Sequence, residues 1–591
     1  MRRLLARPFR YPVRWLAFFA SAVPVILVFP GPSLSYLAWF ALVPAMALFT
    51  RAETTKEAIA RGWWFGAGYL ISMLYWMAPE IGPGLILLGG VMGWMWSPFA
   101  VAVRRLLRPG ASWRRLAAAF VVVPSCWLIP EWMRSYQGLG GPWDLWGASQ
   151  WQHPAVLALA AVGGVWLVSV ALIMANVALV MAGGALWPAL FLPSGTALAS
   201  PASASPASAS AAPASPASGN AAAAGPDAVS TAATSLVPRS LSRAMAGVIA
   251  FAAVAASGPL AFALTTPFPA VRQVSVALVQ PGEVNNPVLR TDASETLTAE
   301  LSQHGTLGGT QPDLIVWGES SIPDDLTGTS PADRALLTQI EALSAKDGAE
   351  ILVNQDTVPP GKGHEKWAVL VSPSGIKGTY IKARLVPFGE YIPFRQQLSW
   401  LTSISKAASS NMVPGPGAQL LNATVRTGKP LPIGVLICFE SAFPDMSRVD
   451  ADKGAQLIVY QSETSTFQGT WGPDQHASLA AIRAAETGRP VVQAALTGDT
   501  VAFDARGRQL IWLGQDSHGV VTVKLSLPAA TAKTFFDQAG DYVMWTGVAI
   551  TALAALVMLA RRRGFLANTP GIPGGPTAEY DAGTGQPVRS K

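Results

Sequence analysis

Cysteine is almost absent. Two residues in 591, Cys126 and Cys438, exclude a disulfide framework and a cysteine-rich metal site. A single bridge between them is not expected, because Cys126 falls inside an apolar run. Histidine is scarce too: the five present show no HExxH or comparable spacing, so no metal is expected. Charged residues make up only 13% of the chain against 50% hydrophobic residues, which excludes an ordinary soluble protein. The net charge of +7 does not signal nucleic acid, since the arginines sit beside apolar runs and form no basic face with interleaved aromatics.

What is present is a series of apolar runs punctuated by arginine. Arg2, Arg3, Arg7, Arg10 and Arg14 precede Trp15 to Phe29, which reads as an uncleaved first helix because further spans follow and no convincing cleavage site does. Further candidate spans are Leu34 to Phe49, Gly62 to Met77, Gly84 to Val103, Leu116 to Ile129 and Leu157 to Met181. The loops Arg51 to Arg61 and Arg104 to Arg115 are basic, whereas Ala78 to Pro83 and Glu131 to His153 are poor in Lys and Arg. The positive-inside rule then gives a consistent zigzag with the N-terminus in the cytoplasm. Many of the 21 tryptophans lie near the ends of the runs, as in an interfacial belt.

The expected organisation is a membrane domain of six spans over 1–192, an Ala/Ser/Pro-rich cytoplasmic linker over 193–243, and a seventh span over 244–264. An extracytoplasmic domain follows over 267–538, then an eighth span over 542–559 that stops at Arg561, Arg562 and Arg563, and a cytoplasmic tail over 560–591. The linker composition cannot bury a core, so disorder is expected there. The 267–538 domain alternates apolar strands with helices near Pro331 to Ala345 and Asp474 to Thr487, an α/β pattern.

Three strands in that domain end on a reactive group. Leu314 to Trp317 runs through Gly318 into Glu319, Thr379 to Ile381 runs into Lys382, and Ile433 to Ile437 runs into Cys438. A carboxylate base, an ammonium and a thiol are what acyl transfer through a thioester needs. Taken alone, Cys438 also reads as a small buried hydrophobe.

The words around these residues, WGESSIP, KARLVPFGEYIPF and ICFESAFPD, resemble the motifs of the apolipoprotein N-acyltransferases, the membrane branch of the nitrilase (carbon–nitrogen hydrolase) superfamily. The resemblance implies an α–β–β–α four-layer sandwich and a triad of Glu319, Lys382 and Cys438. It further implies that Cys438 takes an acyl group from a phospholipid as a thioester and passes it to the N-terminal amine of a diacylated apolipoprotein, without a cofactor. Glu319 would be base and then acid, and Lys382, with the backbone N–H of Phe439, would hold the oxyanion. Glu390 would orient Lys382, and Glu440 either shapes the pocket or serves as an ion pair or cap. His476 reads as structural. Arg134, Trp143, Trp146 and Trp151 either line a lipid entrance or anchor at the interface. The implied place is a bacterial plasma membrane, with the bilayer as a partner and the catalytic domain outside.

The chain departs from the family pattern at Gln461 to Phe467 and at Thr497 to Thr500, has Phe439 where tyrosine is frequent, and lacks an expected tryptophan between Glu283 and Arg290. These positions shape the acyl and acceptor pocket, so a tethered amidase or an acyltransferase with a different amine acceptor is the alternative. A non-enzymatic scaffold would be expected to have lost one of the three reactive residues, and all are present.

Overall fold

The structure, a computed structural model, describes residues 10–192, 236–282, 287–304, 311–359, 363–398 and 411–567. The Ala/Ser/Pro tract over 193–235, the segment 283–286 and the tail beyond 567 lie outside the described residues, so the disorder expected of the linker concerns residues not described.

Between Ala270 and Pro528 the chain builds two six-stranded sheets. The first holds β1 (Ala270–Gln280), β2 (Leu314–Trp317), β3 (Glu350–Thr357), β4 (Glu365–Ser372) and β5 (Gly375–Ile381). The second holds β6 (Leu420–Thr424), β7 (Pro430–Ile437), β8 (Leu457–Ser462), β9 (Val491–Ala495), β10 (Thr500–Phe503) and β11 (Gln509–Leu513). The last strand, β12 (Gly519–Pro528), returns to pair with β1 in the first sheet. Within each sheet three neighbours run parallel, β1–β2–β3 and β7–β8–β9, and the outer strands are antiparallel. Reactive groups in such sheets gather beyond the carboxyl ends of the parallel strands.

Alternation along β2 separates two cores. Leu314 and Val316 face the second sheet, and Ile315 and Trp317 face helices, so the run carries no polar residue. Helices α1 (Pro287–His304) and α2 (Pro331–Asp347) cover the first sheet, and α3 (Pro444–Asp452) and α4 (Gly472–Thr487) cover the second. The result is the expected α–β–β–α layering. Helix α2 starts where the Ser330 hydroxyl accepts from the Asp333 N–H at 3.1 Å and the Asp333 carboxylate accepts from the Ser330 N–H. It stops at Gly348, whose φ of +62° suits a residue without Cβ.

Among the described residues, five helices are long and apolar enough to cross a membrane by length and composition: Gly84–Leu106, Trp113–Arg134, Ala160–Leu186, Ser240–Leu264 and Tyr542–Arg561. Pro12–Val28 is apolar but shorter. Leu34 to Phe49 is not one continuous helix. A 3₁₀ turn at Ser35–Trp39 is followed by a break and by Val43–Thr50, whose second residue is Pro44, suited to a helix start and lacking a donor for any preceding turn. The expected third run begins earlier, at Thr55, because the Thr54 hydroxyl caps the Glu57 N–H at 3.1 Å. The helix expected from Ala244 begins at Leu236.

The tryptophans are not all a belt. Trp96, Trp127 and Trp146 are buried around Tyr69, with Trp127 and Trp146 centroids 5.7 Å apart. Arg134, Trp143, Trp146 and Trp151 are all buried, so none lines an open entrance. The reason is that Arg134 ends a helix and the segment 135–153 after it folds back, Asp144 against Tyr69 and Trp151 against Trp512. The Arg134 guanidinium donates to the Trp143 carbonyl at 3.2 Å, and the Trp151 ring packs 5.0 Å from Trp512.

Candidate active site

The glycine before Glu319 explains how the first sheet reaches the second. A Cβ on Gly318 would lie 2.0 Å from the Leu496 backbone nitrogen, so the ends of β2 and β9 meet only with hydrogen at that position. Across this contact the Glu319 N–H donates to the Ser462 carbonyl at 3.2 Å, and Gln461 donates to the Trp317 carbonyl at 2.9 Å. Glu319 is thereby tied to the end of β8 by its own backbone. Its side chain is buried and meets two ammonium groups at the same oxygen: Lys382 Nζ at 3.2 Å and Lys366 Nζ at 3.3 Å from Glu319 Oε1. Lys382 donates also to Glu390 Oε1 at 2.6 Å, and the second Glu390 oxygen accepts from the Val386 N–H at 2.9 Å. Glu390 thus reaches Lys382 from a loop that its own carboxylate closes.

Cys438 stands at the turn where β7 ends and a 3₁₀ helix, Cys438–Ala442, begins. Its φ of +49° is unusual for a residue with a side chain. Such strain persists only where the surroundings fix it, and here they do so from both sides. Glu440, fully buried, accepts from the N–H groups of Ile437 at 2.8 Å, Ala383 at 2.8 Å and Arg384 at 2.9 Å, and from the Tyr380 hydroxyl at 2.9 Å. It joins the residue before the thiol to the residues after Lys382. His476 Nε2 is 3.0 Å from the Cys438 carbonyl, which can only accept, so Nε2 carries the hydrogen and Nδ1 accepts from the Ser462 hydroxyl at 3.2 Å. Burial keeps the His476 imidazole neutral by lowering its pKa.

Beyond His476 the site meets the membrane domain. The Trp143 ring stacks on the imidazole with centroids 5.7 Å apart, and the indole N–H groups of Trp76 and Trp143 both donate to Gln475 Oε1, at 3.0 and 3.3 Å. Phe439 packs edge-on to Phe443 and against Gly141, where a Cβ would come within 2.4 Å of the Phe439 ring. The turn carrying Cys438 is thus walled by residues from between the apolar helices.

Charge is distributed unevenly. Burial pushes the Glu319 carboxyl up, but Lys382 and Lys366 outweigh it and hold it well below the usual range. Burial lowers the Lys382 ammonium, and Glu319 and Glu390 more than restore it. The Cys438 thiol, by burial and then by the facing Glu319 carboxylate, is pushed well above its ordinary value. At rest the site therefore holds an ionised Glu319 carboxylate, two ionised ammonium groups, Lys382 and Lys366, and a neutral Cys438 thiol.

The structure brings Glu319, Lys382, Cys438, Glu390 and Glu440 together, with Phe439 on the wall. Two family models match the chain in tandem: the apolipoprotein N-acyltransferase N-terminal domain over residues 21–178 and the carbon–nitrogen hydrolase domain over 276–534. The chain belongs to the apolipoprotein N-acyltransferase family. Similar proteins of that name include one from Chlorobaculum tepidum, 25% identical over 95% of this chain and 98% of its own length. Another, from Allorhizobium ampelinum, is 27% identical over 85% of this chain and 86% of its own. A solved amidase from Nesterenkonia sp. AN1 is similar at 19% identity over 42% of this chain and 92% of its own, with a TM-score of 0.31.

For this member of the apolipoprotein N-acyltransferase family, the two segments that depart from the expected pattern prove to be neighbours. The Thr464 N–H and hydroxyl both donate to the Thr497 carbonyl, at 3.2 and 3.0 Å. Glu463, between them and the thiol, presents its carbonyl 3.9 Å from Cys438 Sγ. Sequence reading missed Lys366 and the part played by Trp76 and Gln475. Lys366 carried a faint signal, a lone cation opening the apolar run Ala368–Val371. The contacts of Trp76 and Gln475 join positions 399 residues apart, which no local pattern reveals.

Proposed function

We propose that this chain transfers a fatty acyl group from a phospholipid, through a thioester on Cys438, to the N-terminal amine of the S-diacylglyceryl-cysteine of bacterial apolipoproteins. The observation that carries this reading is the position of the Cys438 turn. It lies between a charged pocket built by Glu319 and Lys382 and a wall of Trp143, Gly141 and Phe439 that belongs to or rests on the membrane domain. A soluble amidase has no need of such a wall. An enzyme whose two substrates are lipids gains proximity from it.

In the first half-reaction Glu319 takes the thiol proton as Sγ attacks the ester carbonyl. Negative charge passes to the carbonyl oxygen, where Lys382 and the N–H of Phe439 receive it. Collapse returns the proton from Glu319 to the departing lysophospholipid hydroxyl and leaves the acyl thioester. In the second, Glu319 accepts a proton from the attacking amine, and the same oxyanion site holds the second tetrahedral intermediate. Expulsion of Cys438 then gives the amide, and the proton restores the thiol. Glu390 and Glu440 hold the two sides in register. The catalytic domain would face outward, with both termini in the cytoplasm and eight apolar segments holding it to the outer leaflet.

The test is a two-substrate assay with the full-length enzyme in phospholipid vesicles and a synthetic diacylated lipopeptide bearing a free N-terminal amine. A gain of one acyl chain on the peptide, blocked by N-acetylation, is the expected result. An acylated enzyme that never passes its chain to this peptide would favour a different amine acceptor, and Glu463 to Phe467 would be the place to look for its recognition.

A further inference from the structure

Lys366 takes no part in the reaction as written, yet it occupies the reacting carboxylate. It stands at the start of β4, and its carbonyl accepts the Lys382 N–H at 2.9 Å, so the two lysines leave adjacent strands side by side. Both ammonium groups reach the same oxygen, Oε1 of Glu319. Lys366 is further held by Asp356 Oδ1 at 2.9 Å, its direct partner in the β3–β4 register, and by the Ser320 hydroxyl at 2.7 Å, which itself donates to Asp356 at 2.8 Å. Its side chain is only 10% exposed. A lysine is that buried only when its charge is matched.

The groups around Glu319 can be counted. Lys382 and Lys366 give two positive charges, and Glu319, Glu390 and Asp356 give three negative ones, which leaves one negative charge beside a neutral thiol and a neutral His476. When the thiol proton moves to Glu319, that one negative charge moves to the acyl oxygen, and Lys382 must follow it. Apart from Glu319 itself, Glu390 is the one carboxylate that holds Lys382 among the described residues. Lys366 is fixed by Asp356 and Ser320, neither of which takes part in the reaction.

We propose that Lys366 is a positioning residue for acyl transfer, a fixed second ammonium that retains the Glu319 carboxyl by the oxygen it shares with Lys382, so that Lys382 can leave for the oxyanion. This rests on the acyl-thioester reading of Cys438. Without Lys366, Lys382 would have to hold the base and the oxyanion in turn.

The test measures alkylation of Cys438 by iodoacetamide as a function of pH, in full-length enzyme carrying Cys126→Ala so that one thiol is read. It needs no acyl donor or acceptor, so a failure of lipid transfer would leave it standing. Removing a cation raises the carboxyl's pKa, and the acid limb of the rate profile moves to higher pH. Lys366→Met is expected to move it by about one unit or more, and Lys366→Arg to restore it. Asp356→Asn, on the exposed rim, keeps both ammonium groups and is expected to leave the limb in place or move it to lower pH. An unmoved limb in a folded Lys366→Met, or an upward shift in Asp356→Asn, would overturn the proposal. In the acyl-transfer assay, Lys366→Met should lower the rate of thioester formation with little change in the apparent affinity for phospholipid.

Discussion

Glu319 and Glu440 are both buried carboxylates at sheet ends, and they are held in opposite ways. Glu319 meets ammonium groups, Lys382 and Lys366, whose charges respond to a proton or an electron pair moving nearby. Glu440 meets three backbone N–H groups and a phenol, which are fixed by the main chain and by β5. The first arrangement makes a group whose proton can move without disturbing the fold. The second makes a joint that locks the turn of Cys438 to the loop after Lys382. Two residues of the same type thus differ by their partners alone, charged side chains for one and mostly backbone donors for the other.

That contrast can be broken from either side. Glu319→Gln keeps the shape and removes the base, and is expected to lower acyl transfer by about 10²–10⁴-fold; the unfolding temperature falls as well, but only partly, because Lys366 keeps Asp356 and Lys382 keeps Glu390 as counter-charges. Measuring initial rates beside thermal unfolding checks it; a variant that unfolds early but keeps its specific activity would reverse the assignment. Glu440→Gln should do the opposite in kind. An amide can accept fewer of the converging N–H groups and brings its own donors against them, so a stability loss of about 1–3 kcal/mol is expected, with a smaller fall in rate. Its acid limb should stay where the wild type has it, since the cations around Glu319 are untouched. A shifted limb in Glu440→Gln would mean that the two carboxylates are not separate in function.

The sequence made part of this division visible. The short uncharged runs ending on Glu319 and Cys438 mark strand ends because a strand buried on both faces tolerates no charge until it leaves the core, whereas the strand before Lys382 is a partly exposed edge strand that carries Lys377. Glu390 was legible through its motif. The difference between Glu319 and Glu440 was not, because it depends on which atoms face each carboxylate across 60 or so residues of chain, as Tyr380 and Glu440 do. Lys366 stayed hidden for the same reason: its partner oxygen lies 47 positions earlier, on a strand two places away in the sheet. In the membrane domain the apolar runs were plain from composition, but hydropathy does not distinguish a tryptophan at an interface from one packed in a helical core. Trp146, fully buried against Trp127, shows the cost of that ambiguity. The break at Phe40 to Leu42 was signalled by Pro44, which an apolar window averages away.

The most direct test of the account is intact-mass spectrometry of the full-length enzyme after incubation with phospholipid alone, compared across wild type, Cys438→Ser and Glu319→Gln. One acyl-sized adduct that hydroxylamine removes, present on the wild type and missing from both variants, is the result the account predicts. An equal, hydroxylamine-labile adduct on Glu319→Gln would contradict it, because the thiol would then have been acylated without the base that the two sheets bring to it.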